Sequence, residues 1–183
     1  GLFACGECAA GINGANRLGG NSLSDLLVLG KRAGEYAANF ANENESGVIN
    51  LDYIDRVTKE ALKPFERAQG MATAEGPYQI QNDLQELMQD YVGIVRNEDE
   101  MRAALVGIKK LWKRINNVSV DGNREFNPGW HTALDLSNLL TVSEAITLSA
   151  LERKESRGAH FREDYPEKTE SFGKINIVIQ KDD

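Results

Sequence analysis

The chain has little with which to hold a metal. It contains two cysteines, Cys5 and Cys8, and two histidines, His131 and His160. The C-x-x-C pair has no second pair to complete a zinc site. No carboxylate cluster has ligand spacing, so no metal is expected. Basic charge is also scarce: 21 Lys and Arg stand against 28 Asp and Glu, a net charge of −7. That excludes a nucleic-acid surface, which needs a basic patch. No apolar run approaches the ~20 residues that span a bilayer. The opening Gly1-Leu2-Phe3 lacks the basic region of a secretory signal. There is no internal repeat, no low-complexity tract, and no G-x-G-x-x-G after a strand. With 41% hydrophobic residues, the composition is that of an ordinary globular chain.

What is present begins with Gly14-Ala15-Asn16-Arg17-Leu18-Gly19-Gly20-Asn21-Ser22-Leu23. A glycine-rich loop carrying one arginine runs into an amphipathic helix, expected over about 22–41. Ser22 stands where an N-cap belongs, with Asp25 three residues on. A helix N-terminus offers unpaired N–H groups and partial positive charge. Gly19 and Gly20 leave room for a ligand beside the backbone, and Arg17 adds a planar fork for a carboxylate or phosphate. The same residues also suit a plainly capped helix after a flexible turn with a solvated arginine. Cys5 and Cys8 read as small half-buried hydrophobes or as a thioredoxin-like redox pair.

Further along, Leu2 to Cys5 suggests a short strand ending in a turn at Gly6. The polar run from Asn42 to Gly47 suggests a linker. A helix starting at Asp52 should end or kink at Pro64. Three stronger helices follow, over about 79–95, 98–117 and 128–153. Asn97 is the candidate N-cap of the second, and Pro128 suits the first turn of the third. Apolar residues on the third occupy more than one stripe, which predicts burial on more than one side. Three antiparallel helices with shortish connections make a bundle. The fold class is therefore mainly α, a spectrin-repeat-like three-helix bundle with flanking segments. Trp112 and Trp130 suit its core or core edge. Residues 174–180 alternate as a C-terminal strand candidate. Arg157, His160 and Arg162 form a polar cluster with a structural reading preferred over an anion or acid–base site. His131 reads as a capping or surface residue, and Glu163-Asp164 as solvated charge.

Two stretches carry a family likeness. Gly1-Leu2-Phe3-Ala4-Cys5-Gly6-Glu7 with Gly14 to Leu23, and Glu152 to Asp164, resemble signatures of the succinate dehydrogenase and fumarate reductase flavoprotein subunits. The resemblance implies a C-terminal piece of a longer enzyme, cut short at its own end. Residues 1–46 would end an FAD-binding α/β domain, 47–155 would be the helical domain, and 156–183 a C-terminal segment. It implies FAD as cofactor and succinate–fumarate interconversion. It also implies that Arg17 binds a substrate carboxylate, Glu7 holds the flavin nucleotide, and Ser22 and Leu23 contact the flavin. The dinucleotide motif, the histidine that tethers FAD and the proton-shuttling arginine would lie upstream, leaving no catalytic residue to assign. Partners implied are a dicarboxylate, an iron–sulfur subunit and, indirectly through anchor subunits, the inner face of the cell membrane from the cytoplasmic side. Asn13 replaces a histidine common in the family, in a loop about one residue shorter. L-aspartate oxidases share the fold but read differently across residues 17–22, which favours the succinate/fumarate branch. An autonomous helical interaction module is the competing reading from another class.

Overall fold

The computed structural model describes residues 1–9, 20–67 and 74–181. The arginine-bearing part of the loop, Arg17 included, lies outside the described residues. The chain divides into two compact units, Gly1–Leu51 and Asp52–Asp183.

In the first unit, the expected strand from Leu2 to Cys5 does not form a ladder. The segment enters the turn extended, with Cys5 at φ −155° and ψ 167°. A short apolar run can lie extended, but a strand needs a partner for its backbone groups. Gly6 then turns the chain at φ +71° into a short 3₁₀ segment, Gly6–Cys8. Helix α1 spans Asn21–Glu43. It begins one residue before the expected start. Its cap is Gly20, at φ +86°, and no side chain bonds the helix end. The Leu23 N–H already donates to the Gly20 carbonyl at 3.1 Å, so Ser22 lies inside the first turn and is not the N-cap. Phe3 packs edge-on against Phe40, with ring centroids 5.8 Å apart. No α1 residue is fully buried.

The second unit starts with most of α2, Leu51–Arg67. Pro64 neither ends nor splits it. Proline forfeits one helical hydrogen bond, but Pro64 is buried, and its carbonyl accepts from the Val120 N–H at 3.0 Å. Helix α3 spans Pro77–Val92 and stops three residues short of expectation. After Gly93 the chain extends, and Val95 belongs to strand β1, Val95–Arg96. Helix α4, Glu98–Arg114, is capped as expected: the Asn97 side chain accepts from the Glu100 N–H at 3.0 Å. A 3₁₀ turn, Ile115–Asn117, completes it. Helix α5, Pro128–Glu152, has proline in its first turn and Asn127 accepting from the Trp130 N–H.

Helices α3, α4 and α5 each pack on the other two. Ile80, Leu84, Ile108, Leu111, Val118, Leu136 and Leu140 form the buried cluster, with Trp112 at its edge. Trp130 is half-buried, stacks near Phe65 and donates to the Ala61 carbonyl, tying α5 to α2. The expectation for α5 is corrected in one respect. Leu136, Leu140, Ser143, Thr147 and Ala150 form one buried stripe, while Leu139, Val142 and Ile146 are exposed. The second apolar stripe is not covered in this unit.

A strand not expected from the sequence, β2, Phe161–Arg162, pairs in parallel with β1, Val95 opposite Phe161 and Arg96 opposite Arg162, while the strand expected over residues 174–180 does not form. Residues 175–181 form no ladder, and Val178 is 84% exposed. The alternation there was again a signal of extension without a partner.

Buried and exposed apolar positions on α5 should respond differently. Leu140→Ala should lower stability by about 2–5 kcal/mol, whereas Val142→Ala should stay within about 0.5 kcal/mol, both read by urea unfolding. Equal losses would contradict a bundle packed on one face of α5.

Candidate functional site

Of the candidate binding residues, Ser22 and Leu23 lie in the first turn of α1, Glu7 lies in the 3₁₀ turn Gly6–Cys8, and Arg17 lies outside the described residues. Gly20 occupies the left-handed region, and a side chain built there would meet nothing within 4 Å among the described residues. Three of the first N–H groups of any helix lack an intrahelical acceptor beyond the cap bond, and here the cap itself has no side chain to occupy the end. Such an end favours an electron-rich oxygen. Ser22 is half-buried and Leu23 is 65% exposed. Glu7 stands exposed in the 3₁₀ turn after Gly6. An ionised carboxylate is acceptor-only, so Glu7 can take hydrogen bonds from a pair of hydroxyls. Gly6 is fixed by more than its φ. A side chain there would come within 2.5 Å of Leu26 Cδ2, so the turn sits tight against α1. Cys5 is half-buried and Cys8 exposed, both as free thiols.

The Arg157, His160 and Arg162 cluster has a different character. Arg162 is fully buried. Its guanidinium pairs with Asp164 through two bonds of 2.6 Å. Its Nη1 donates to the Ala150 and Leu151 carbonyls at the end of α5. Asp164 in turn accepts the Glu98 N–H at the start of α4, at 3.0 Å. Glu155 is also fully buried. It accepts from Arg157 and Arg153 and from the Thr169 N–H. Hydrogen bonds from Arg157, helped by Thr169 and Arg153 against the cost of burial, hold its carboxyl down to about 2. Arg162 likewise holds Asp164 below the usual carboxylate range. His160 bridges the two halves of the cluster. Arg96 Nη1 lies 2.9 Å from its Nδ1, and Nε2 lies 3.0 Å from the Arg153 carbonyl. Arginine can only donate, so Nδ1 accepts and Nε2 carries the proton: the ring is neutral. Burial, and then the charges of Arg96, Arg162 and Arg153, push its pKa down, against the Arg153 carbonyl bond. Every polar group here is occupied with holding the chain, as a structural role requires.

Residues 81–183 match the profile described as the fumarate reductase flavoprotein C-term, and residues 1–23 match one described as an FAD binding domain. The chain belongs to the fumarate reductase flavoprotein C-terminal family. It is 41% identical over 170 residues to a fumarate reductase flavoprotein subunit of Haemophilus influenzae, covering 92% of this chain and 28% of that one. It is 38% identical to a succinate dehydrogenase flavoprotein subunit of Coxiella burnetii, over all of this chain and 31% of the other. Among solved structures, the Sdh1 complex of Mycobacterium smegmatis aligns with a TM-score of 0.89 at 46% identity, over 94% of this chain and 29% of that chain. The chain thus spans about three-tenths of the length of these relatives. It corresponds to a C-terminal portion of flavoprotein subunits. The helical bundle agrees with that family's solved structures, and no helix among the described residues is long and apolar enough to cross a membrane.

Within this family fold, sequence reasoning missed Asp164 and Glu155. Asp164 was expected to be solvated charge. It is instead the partner of Arg162 and a cap for α4. A signal was available: Arg153, Glu155 and Arg157, then Arg162 and Asp164, alternate at every second residue, which brings side chains together in an extended segment. His131 is exposed, as expected for a surface residue.

The neutral state of His160 sets a pH dependence. Its unfolded value is near 6.5 and its folded value is lower. Between the two, the unfolded chain binds more protons, so stability rises with pH and is lost on acidification below about 6.5. Urea midpoints should therefore fall more for the wild type than for His160→Gln between about pH 7 and about pH 5. Equal falls would mean that His160 is protonated in the folded chain.

Proposed function

We propose that this chain is the C-terminal part of a flavoprotein subunit that interconverts succinate and fumarate by hydride transfer to or from FAD. The observation that carries the reading is the start of α1, headed by Gly20 at φ +86° with no side-chain cap bond, directly after the stretch that holds Arg17 in a chain matching an FAD binding domain over residues 1–23. The groups present suit a flavin nucleotide: an exposed carboxylate at Glu7, and the N–H groups of a helix N-terminus.

In this reading residues 1–46 end the flavin-binding domain, 47–155 are the helical domain and 156–183 are the C-terminal segment. Glu7 accepts from the ribose hydroxyls of the nucleotide. Ser22, Leu23 and the α1 amides would hold the flavin, and a helix N-terminus beside it would favour negative charge there. A bound flavin supplies the two-electron hydride acceptor. Arg17 grips one carboxylate of the dicarboxylate through a planar two-point pairing, which fixes both charge and orientation. The names of the relatives mark them as subunits, which supports an assembly. An iron–sulfur subunit is the proposed electron partner, and anchor subunits the proposed link to the inner face of the cell membrane.

Arg17 gives the direct test. In the flavoprotein that carries this segment, Arg17→Ala should lower kcat/KM for fumarate by about 100-fold or more, the loss of two charge-assisted hydrogen bonds. Flavin content should stay unchanged. Unaltered kcat/KM would remove Arg17 from the substrate site. The chain by itself, carrying part of a flavin site, should show no saturable quenching of FAD fluorescence. Saturable quenching that Ser22→Ala abolishes would mean that these residues suffice to bind it.

A further inference from the structure

We propose that Cys5 and Cys8 form a reversible intramolecular disulfide across the turn that carries Glu7. Neither thiol has a place in the proposed function. The two residues flank Gly6-Glu7 and the 3₁₀ segment Gly6–Cys8. Cys5 is the extended residue entering that segment, at φ −155° and ψ 167°, and Cys8 closes it. The Cys8 sulfur already folds back along this turn. Its Sγ lies 3.1 Å from the Cys5 carbonyl oxygen, on the residue whose thiol it would join. The turn is locked from both sides. Ala9 donates to the Gly6 carbonyl at 3.0 Å, and Gly6, at φ +71°, stands against Leu26 with no room for a side chain. The two thiols also differ in access: Cys8 is exposed and Cys5 half-buried. That asymmetry suits an attacking thiol and a resolving thiol.

The chemistry needs a small-molecule disulfide, such as oxidised glutathione, as oxidant. The Cys8 thiolate attacks one glutathione sulfur, the glutathione S–S bond breaks, and one glutathione thiolate leaves. The Cys5 thiol, deprotonated by solvent, then attacks the Cys8 sulfur of the mixed disulfide and expels the second glutathione. Two electrons pass from the cysteine pair to the oxidant, which becomes two thiols as the protons follow. The new bond closes a ring around Gly6 and Glu7 and limits where the Glu7 carboxylate points. Only this consequence for flavin holding rests on the proposed role of Glu7; the bond itself does not.

The test equilibrates the full 183-residue chain in buffers of varied oxidised-to-reduced glutathione ratio. Acid quenching, alkylation and intact-mass measurement follow. The wild type should convert to a species lighter by two hydrogens that takes up no alkylating reagent. Cys5→Ser should stop at a glutathione adduct on Cys8. The native chain should also form the bond at a ratio about tenfold less oxidising than the urea-unfolded chain, because the turn raises the effective concentration of one thiol at the other. A wild type that accumulates the Cys8 adduct as Cys5→Ser does would overturn the proposal. So would equal ratios with and without urea. Neither readout involves flavin or turnover, so a negative result leaves the dicarboxylate reading standing.

Discussion

A buried guanidinium organises the larger unit of this chain. Arg162 has no exposed surface. A charge so placed is tolerable only when it is paired and its remaining donors are used. Asp164 supplies the pair, and the last carbonyls of α5 take Nη1. Those carbonyls are the ones a helix leaves unsatisfied, at its electronegative end. Through Asp164 the same node reaches the first amide of α4, and through β2 it reaches β1. One residue therefore joins two helix ends of opposite polarity to the strand pair beside them. Removing Asp164 would leave the Arg162 charge bare inside the fold, a far larger loss than that of a surface pair. The family's second signature, Glu152 to Asp164, is thus an architectural device in this chain.

The smaller unit is built on another principle. Helix α1 has an apolar side, including Leu26, Leu27 and Phe40, but no residue in it is fully buried. An isolated helix draws little stability from propensity alone. What the unit does have is a specific shape at one end: a glycine cap in a conformation that other residues rarely adopt, and a second tight glycine turn beneath Glu7. Both hold a positive φ that glycine adopts freely, and at Gly6 the backbone also stands tight against Leu26. The two units contrast in what their sequences are spent on, one on packing and the other on presenting backbone donors and a carboxylate.

Much of this was legible in the sequence, and the reasons differ by element. The three bundle helices were visible because apolar residues recur at helical spacing, and Asn97 marked the start of α4 because its side chain could reach Glu100 N–H. The family was legible from two long motifs in order. The α1 cap was misread because a serine at the right offset is the commoner solution, while Gly20 could close the first turn with backbone alone. Pro64 does not end α2: it lies buried within the helix, and its carbonyl takes the Val120 N–H from far along the chain, a contact that no local pattern announces. Residues 174–180 were misread because alternation reports extension and says nothing of a partner. Arg17 lies outside the described residues, so its role rests on the motif and awaits the substrate site itself.

The bundle and its Arg162 node sustain themselves, whereas α1 does not. Segment-resolved hydrogen exchange on the intact chain tests it most directly. Amides of α3, α4, α5 and the β2 segment should exchange together, slowly, through opening close to global unfolding. Amides of α1 should exchange orders of magnitude faster. Protection of α1 equal to that of the bundle would contradict the claim. So would fast exchange at Arg162 and the end of α5.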